Sequence, residues 1–151
     1  MPPKVFITGA SSGLGCALAH HYAGRAAVLG LVARRGEALE ALASELPATC
    51  FIYPLDVTDA SALTKAGADF IARAGVPDIV IANAGISLGT LTEEAADLQA
   101  FARVMQANVL GMVHTFHPFV AAMKHAGRGR LVGISSVAGI RGMPGAGAYC
   151  A

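Results

Sequence analysis

Three glycines, Gly9, Gly13 and Gly15, lie within seven residues, directly after a short apolar run that starts at Val5. Glycine lets a backbone turn sharply and approach a ligand without a Cβ in the way. The first N–H groups of a following helix, and the positive end of its dipole, then face a bound anion. The spacing differs from the common Gly-x-Gly-x-x-Gly pattern, and tight packing between strand and helix is the alternative explanation of the glycines. As a pyrophosphate site, the turn offers these residues: Gly9, Ser11, Ser12, Gly13, Leu14 and Gly15.

The other apolar runs of the chain are also followed by polar, charged or glycine residues that could bind a ligand. Arg34 and Arg35 follow the second run, Asp56, Val57 and Thr58 the third, Asn83, Ala84 and Gly85 the fourth, and Ser135 and Ser136 the fifth. Tyr149 comes thirteen residues after Ser136. In an open α/β sheet, ligands bind outside the carboxyl ends of the strands. We therefore expect these side chains to meet at one edge and to form a single binding site.

The elements that must position these residues alternate between strand-like and helix-like patterns, which is typical of an α/β fold with a parallel sheet. The predicted strands are Lys4–Thr8, Ala27–Ala33, Cys50–Pro54, Asp78–Ala82 and Arg130–Ser135, and the predicted helices are Gly13–Ala23, Gly36–Ser44, Asp59–Ala74 and Leu98–Lys124. A doubly wound, Rossmann-like sheet with right-handed crossovers would have the strand order 3-2-1-4-5. The segment Val137–Ala148 holds four glycines and one proline. We predict a mobile loop there, over the carboxyl edge of the sheet.

Length and composition favour one domain, spanning residues 1–151. Apolar residues make up 54% of the chain and charged residues only 14%. Parallel strands that are buried on both faces account for such a composition, as does a surface that more chain or another subunit covers. The net charge of +1, without a basic block, argues against nucleic acid as a partner.

Neither a membrane span nor a metal site is expected from the sequence. The longest uncharged apolar run, Ala26–Ala33, is too short to cross a bilayer. Cys16, Cys50 and Cys150 have neither metal-ligand spacing nor the even number of a disulfide framework. We interpret them as free thiols of a protein in the reducing cytoplasm.

Taken together, the motifs resemble those of the short-chain dehydrogenase/reductase family. The matching pieces stand in the family's order over the whole chain: Thr8-Gly9-x3-Gly13-x-Gly15, Asp56-Val57-Thr58, Asn83-Ala84-Gly85, Asn108, and Ser136 with Tyr149. The resemblance implies a nicotinamide dinucleotide at the strand ends, held by the glycine turn together with Asp56, Val57, Asn83, Ala84 and Gly85. It also implies reversible hydride transfer between that cofactor and a small-molecule carbonyl or alcohol.

The same resemblance implies roles for three polar residues. Tyr149 would be the acid/base, Ser136 would contact the substrate oxygen, and Asn108, in the predicted helix 98–124, would hold a water in a proton relay. A free phenol has a pKa of about 10, and lowering it by about three units takes about 4 kcal/mol. The family assigns part of that shift to a lysine four residues beyond the tyrosine. That position is 153, past the 151 residues of this chain, so we expect a longer parent protein that supplies the later strands and helices of the family.

The residues after the second strand favour NADP as the cofactor, with NAD as the alternative. Enzymes that use NAD usually carry Asp or Glu there, to accept a hydrogen bond from the ribose 2′-hydroxyl. This chain has Ala33, Arg34 and Arg35 instead. No carboxylate repels a 2′-phosphate, and a guanidinium can bind one through two hydrogen bonds.

Two further expectations concern partners and an alternative function. The predicted helix 98–124 is apolar on more than one face, and family members commonly associate through this helix. We therefore expect a homodimer or homotetramer of the full-length protein. The alternative to an enzyme is a sensor or regulatory module that binds a dinucleotide without chemistry, or an inactive fragment if the chain ends at residue 151.

Overall fold

A computed structural model describes residues 2–25 and 27–151. Its centre is a five-stranded parallel sheet with the order β3-β2-β1-β4-β5. The strands are β1 (Lys4–Thr8), β2 (Val28–Ala33), β3 (Thr49–Pro54), β4 (Ile79–Ala82) and β5 (Arg130–Gly133). The prediction of a doubly wound, Rossmann-like sheet with the order 3-2-1-4-5 is thus confirmed.

Helices connect the strands on both faces of the sheet. They are α1 (Gly13–Ala23), α2 (Gly36–Glu45), α3 (Ala60–Ala74), α4 (Leu98–Met105), α5 (Gly111–Ala126) and α6 (Gly147–Cys150). Asp59 begins α3, since its carboxylate accepts a hydrogen bond of 2.9 Å from the Ala62 N–H. Gly127 ends α5 in the left-handed conformation, with φ +64°.

Two predicted segments differ from the structure. Helical backbone runs from Leu98 to Ala126, which covers the helix expected over 98–124, but a π-helical turn at Gln106–Leu110 lies between its α-helical parts, α4 and α5. The segment Val137–Ala148 is not irregular throughout: a 3₁₀ turn spans Val137–Gly139 and α6 begins at Gly147. The π-helical turn and α6 are held by long-range hydrogen bonds, from Asn108 to Ile86 and between Thr90 and residues 145–148, which the local residue pattern does not reveal.

The core consists of two layers, one on each face of the sheet. Successive residues of a strand point to opposite faces, so Val5 and Ile7 face α1 and α2 while Phe6 faces α3 and α5. On the second face, Phe6 lies edge-on to Phe70 at 5.4 Å between ring centroids. Burial on both faces explains the continuous apolar runs of the sequence.

At one margin of the sheet, all four residues of β5 are exposed, including Leu131 and Val132. The candidate site residues gather at the carboxyl ends of the strands. Apart from Asn108 and Tyr149, each lies on a loop that leaves a strand or on the first turn of α1. Across the described residues, the helices are too short or too polar to pass through a bilayer.

Candidate active site

The glycine turn after β1 is held against the end of β4. Gly9 has φ +70°, and a Cβ there would lie 2.8 Å from Asn83 Nδ2 and 2.9 Å from the backbone Cα of Ala84. Both the backbone angle and the close approach require glycine. The Asn83 side-chain amide donates to the carbonyl oxygens of Thr8, at 3.0 Å, and Gly9, at 3.3 Å. Asn83 therefore shapes the turn with its side chain.

Thr8 joins the same two strands from within the core, where it is 1% exposed. Its hydroxyl oxygen accepts from the backbone N–H groups of Asn83, at 3.1 Å, and Ala84, at 3.3 Å, and its proton goes to the Ile81 carbonyl. Sequence reasoning included Thr8 in a motif but assigned it no role. Its position as the last residue of a buried strand was the available signal.

A cleft of about 610 Å³ opens above this turn. Its wall is built from the loops after β1, β2, β3 and β4 and from α4: Gly9, Ser11, Ser12, Ala33, Arg34, Arg35, Leu55, Asp56, Val57, Thr58, Asn83, Ala84, Gly85, Ile86, Arg103, Gln106 and Ala107. The residue pattern carries no signal for Arg103, on an exposed part of α4, or for Gln106, which is exposed at the start of the π-helical turn that follows. We refer to this space as the first cleft.

The other glycines of the turn differ in their surroundings. Gly13 has φ +55°, and a Cβ there would meet no atom within 4 Å, so the start of α1 is open. No side chain caps that helix at Ser12. Gly15 instead packs inside the turn, where a Cβ would collide with the Gly9 carbonyl oxygen, and Leu14 lies exposed beside it. Open space and uncapped N–H groups therefore coincide at the first residues of α1.

Two arginines and a carboxylate form the far side of the first cleft. Arg35 Nη2 donates to the Ser11 hydroxyl oxygen at 3.2 Å and lies 3.4 Å from the Ser11 carbonyl oxygen. Arg34 Nη1 lies 3.9 Å from Asp56 Oδ2, and both side chains are well exposed. The positively charged Arg35 side chain therefore connects the loop after β2 to the glycine turn.

Asp56 is largely engaged with its own loop. Its Oδ1 accepts from both the N–H and the hydroxyl of Thr58, each at 2.9 Å. The Thr58 N–H is the main reason that the pKa of Asp56 lies below its ordinary value, and the Thr58 hydroxyl and the positive charge of Arg34 act in the same direction. The carboxylate thus shapes the turn that places Val57 in the wall.

A second cleft, of about 480 Å³, adjoins the first and shares the wall Asn83–Ile86 with it. Ser136 and Tyr149 both line this second cleft. The Ser136 oxygen accepts from the Ala138 N–H at 3.2 Å, which leaves the hydroxyl proton for an acceptor in the cleft. A serine from the loop after β5 and a tyrosine from α6 thus line one space.

Asn108 lies at the centre of the π-helical turn and also lines the second cleft. Its Oδ1 accepts from the Ile86 N–H at 2.8 Å, and its Nδ2 donates to the Ile86 carbonyl at 2.9 Å. The side chain therefore fixes the loop after β4, where the sequence predicted a water-holding group. Single π turns inside helices are frequent at functional sites.

Known proteins resemble this chain over nearly all of its residues. A family model described as short chain dehydrogenase matches residues 3–151. A 2-dehydro-3-deoxy-L-rhamnonate dehydrogenase (NAD(+)) from a Sphingomonas species is 36% identical over 96% of this chain and 58% of its own length. A mouse protein, dehydrogenase/reductase SDR family member 7B, is 35% identical over 97% of this chain and 47% of its own length.

Solved structures show the same likeness. A short-chain dehydrogenase from Streptomyces avermitilis superposes with a TM-score of 0.91 at 31% identity, over 99% of this chain and 54% of that one. An alcohol dehydrogenase from Thermococcus sibiricus, complexed with 5-hydroxy-NADP, gives 0.87 at 30% identity, over 97% and 63% of the two chains. The chain spans about half of the length of the curated relatives it matches.

Proposed function

The chain belongs to the short-chain dehydrogenase family, and we propose that it carries the dinucleotide site and the proton-transfer groups of an NADP(H)-dependent oxidoreductase. The substrate would be a small carbonyl compound or alcohol. The observation that carries the proposal is the shared wall Asn83–Ile86, which joins a cleft with a glycine turn and arginines to a cleft with Ser136 and Tyr149. A dinucleotide could extend from the first cleft to the hydroxyl groups of the second.

The residues of the first cleft fit a dinucleotide on their own chemistry. Gly9, Ser11 and Ser12 line the cleft, and the open space at Gly13 and the uncapped start of α1 follow directly after them and suit the pyrophosphate, because helix N-termini bind anions. Apolar Val57 and Leu55 line the same cleft and offer a surface for a flat ring. The cofactor site of the proposal is therefore formed by Gly9, Ser11, Ser12, Gly13, Leu14, Gly15, Arg34, Arg35, Asp56, Val57, Asn83, Ala84 and Gly85.

Arg34 and Arg35 support NADP rather than NAD. Relatives of this chain are named with either type of dinucleotide, one with NAD(+) and one bound to an NADP derivative. The end of β2 carries no carboxylate for a ribose 2′-hydroxyl, and Arg35 already donates to an oxygen of Ser11 across the cleft. A 2′-phosphate would replace that neutral acceptor with a charged one and form a stronger hydrogen bond.

The chemistry supplied by a bound nicotinamide is hydride transfer to or from the substrate carbon. Tyr149 would give its phenol proton to the substrate oxygen during reduction and take it back during oxidation. Ser136 would donate its free hydroxyl proton to the same oxygen and hold it in place. Such positioned acid–base groups contribute about 10²- to 10⁴-fold in rate. Asn108 would keep the loop at Ile86, and hence the wall between the clefts, in position.

The proposal is tested by following NADPH consumption by the full-length protein with a panel of ketones and aldehydes. We expect Tyr149→Phe to lower kcat by about 10²- to 10⁴-fold, with little change in the dissociation constant for NADPH. The matched control is Tyr53→Phe, which removes a phenol hydroxyl that donates to Asp69 at 2.8 Å, outside both clefts. It should retain full activity.

Two results would contradict the proposal in different ways. Failure of both NADPH and NADH to bind, measured by fluorescence titration, would remove the dinucleotide site. Tight binding without turnover of any carbonyl or alcohol would favour the sensor module, in which Ser136 and Tyr149 have no chemical task.

A further inference from the structure

Thr90 is a buried residue in an otherwise exposed loop. It lies between β4 and α4 and is 3% exposed, while Gly89 and Leu91 on either side of it are exposed. Neither the motifs of the sequence nor the two clefts include it. The polar atoms of a buried threonine need hydrogen-bond partners. The segment that supplies those partners indicates which part of the structure Thr90 holds.

All three polar atoms of Thr90 bind the residues that lead into Tyr149. Its N–H donates to the Gly145 carbonyl at 2.9 Å, and its own carbonyl accepts from the Gly147 N–H at 3.2 Å. Its hydroxyl oxygen accepts from the Ala148 N–H at 2.9 Å. A short parallel bridge between Thr90 and Ala146 completes the contact. One residue thus fixes the four positions that precede Tyr149.

These bonds replace a cap that α6 lacks. Helix α6 has only four residues, and no side chain of its own caps it at Ala146. The first N–H groups of a helix have no partner within the helix, and Thr90 takes two of them, from Gly147 and Ala148. Tyr149 therefore stands on a single turn whose start is held from another part of the chain.

The opposite end of the same loop is also fixed. Asn108 binds both backbone polar groups of Ile86, four residues before Thr90. The short segment Ile86–Thr90 is consequently fastened to the π-helical turn at one end and to α6 at the other. The wall between the clefts and the turn that carries Tyr149 are therefore joined by five residues of chain with a hydrogen-bonded attachment at each end.

We propose that Thr90 is a positioning residue for proton transfer: its hydroxyl, by holding the Ala148 N–H, sets the place of the Tyr149 phenol opposite Ser136. The inference rests on the proposed function, because it matters for turnover only if Tyr149 transfers the proton. Thr90 itself touches neither cleft and acts through α6.

The test compares Thr90→Val, which keeps the shape and removes the hydroxyl, with Thr90→Ser, which keeps the hydroxyl. We expect Thr90→Val to lower kcat about tenfold or more and to shift the pH profile of kcat, with KM and the NADPH dissociation constant within about threefold of wild type. Thr90→Ser should restore kcat to within about threefold. Hydrogen exchange of the Ala148 amide should speed up at least tenfold in Thr90→Val only.

The matched control is Thr115→Val, at another buried threonine, whose hydroxyl donates to the Gly111 carbonyl at 2.7 Å within α5. It should lower the melting temperature as Thr90→Val does while leaving kcat and the Ala148 amide unchanged. If both variants lower kcat in proportion to melting temperature, or if Thr90→Ser is as impaired as Thr90→Val, the positioning role is wrong.

The exchange measurement separates this inference from the proposed function. The wild-type protein could be inactive while the exchange rate of its Ala148 amide still depends on the Thr90 hydroxyl. That result would overturn the proposed function and leave the attachment of α6 to Thr90 established. If the wild-type protein is active, but Thr90→Val changes neither kcat nor the exchange rate of the Ala148 amide, the inference is wrong and the proposed function stands.

Discussion

At the scale of single residues, several polar side chains of the site bind the protein's own backbone. Asn83 holds the glycine turn, Asn108 holds Ile86, and Asp56 holds Thr58. Arg35 contrasts with them because its hydrogen bonds to Ser11 are exposed to solvent and the Ser11 acceptors are neutral, so its guanidinium can exchange that partner for a ligand. Of the residues of the first cleft, we therefore expect Arg35 to have the largest effect on the binding of a phosphate group when its charge is removed.

We expect Arg35→Gln to weaken NADPH binding about tenfold or more and to leave NADH binding nearly unchanged. A hydrogen bond to a charged group contributes about 1.5–3 kcal/mol, and each 1.4 kcal/mol corresponds to about tenfold in affinity. Fluorescence titration with both dinucleotides measures the ratio. Arg130→Gln, at the start of β5 and away from the first cleft, removes the same charge and should leave the ratio unchanged. Equal losses for NADPH and NADH would contradict a 2′-phosphate contact.

The sequence predicts where these residues lie but not what they bind. Parallel strands bring their carboxyl ends to one edge, so Arg34, Asp56 and Asn83 could be placed from the order of strands and loops alone. The partners of Asn83 and Asn108 are 75 and 22 residues away in the chain. Such pairings depend on strand register and side-chain torsions, which the pattern of residue types does not specify.

At the scale of elements, α3 and α5 approach each other closely at one glycine. Pro118 lies inside α5, and its ring sits over Gly67 of α3. A Cβ at position 67 would collide with the Pro118 ring and lie 3.3 Å from Phe119 Cζ. The missing side chain of Gly67 therefore sets the distance between two helices that cover the same face of the sheet.

We expect Gly67→Ala to destabilise the protein, although alanine favours helix by about 1 kcal/mol over glycine. Overpacking of a tight core contact costs about 1–3 kcal/mol, and a Cβ that collides with the rigid Pro118 ring belongs in the upper part of that range, above the gain. Urea unfolding measures the free energy of unfolding. Ala68→Gly, at the exposed neighbouring position of α3, changes helix propensity without a change in core packing. It should lower the free energy of unfolding by about 1 kcal/mol. A stabilised Gly67→Ala would show that the two helices separate without cost.

The division between α4 and α5 shows why element boundaries escaped prediction. Apolar residues recur at helical spacing through 98–124, and a π turn leaves that spacing almost intact. What marks the turn is the pairing of Asn108 with Ile86 and the contact of Gly111, where a Cβ would lie 2.8 Å from Val57 Cγ2. Both contacts involve residues from other parts of the chain, so they cannot be predicted from the local periodicity of apolar residues.

At the scale of the whole molecule, an apolar stripe along α5 is exposed. Val113 is 56% exposed, and Val109 and Val120 lie at helical spacing from it on the same stripe. His117, which is also exposed, lies between Val113 and Val120 at helical spacing, and exposed apolar side chains grouped in this way are typical of an interaction site. The stripe agrees with the expected homodimer or homotetramer through helix 98–124, which stays a prediction.

We expect Val113→Glu to reduce self-association, because association through α5 would bury an unpaired carboxylate. Sedimentation velocity at a fixed protein concentration should show wild type as dimer or larger and the variant shifted to monomer. Ile140→Glu places the same charge at a fully exposed apolar residue off the helix and should leave the distribution unchanged. A wild-type monomer, or equal effects of the two variants, would contradict association through this face.

The wall Asn83–Ile86 has two sides, and each belongs to a different cleft. Any occupant that shifts or stiffens this segment alters the space available to the other occupant. Thermodynamic reciprocity then requires that each changes the affinity of the other by the same factor. The backbone between β4 and α4 would then couple the binding of an occupant of one cleft to the binding of an occupant of the other, in addition to any direct contact between the two.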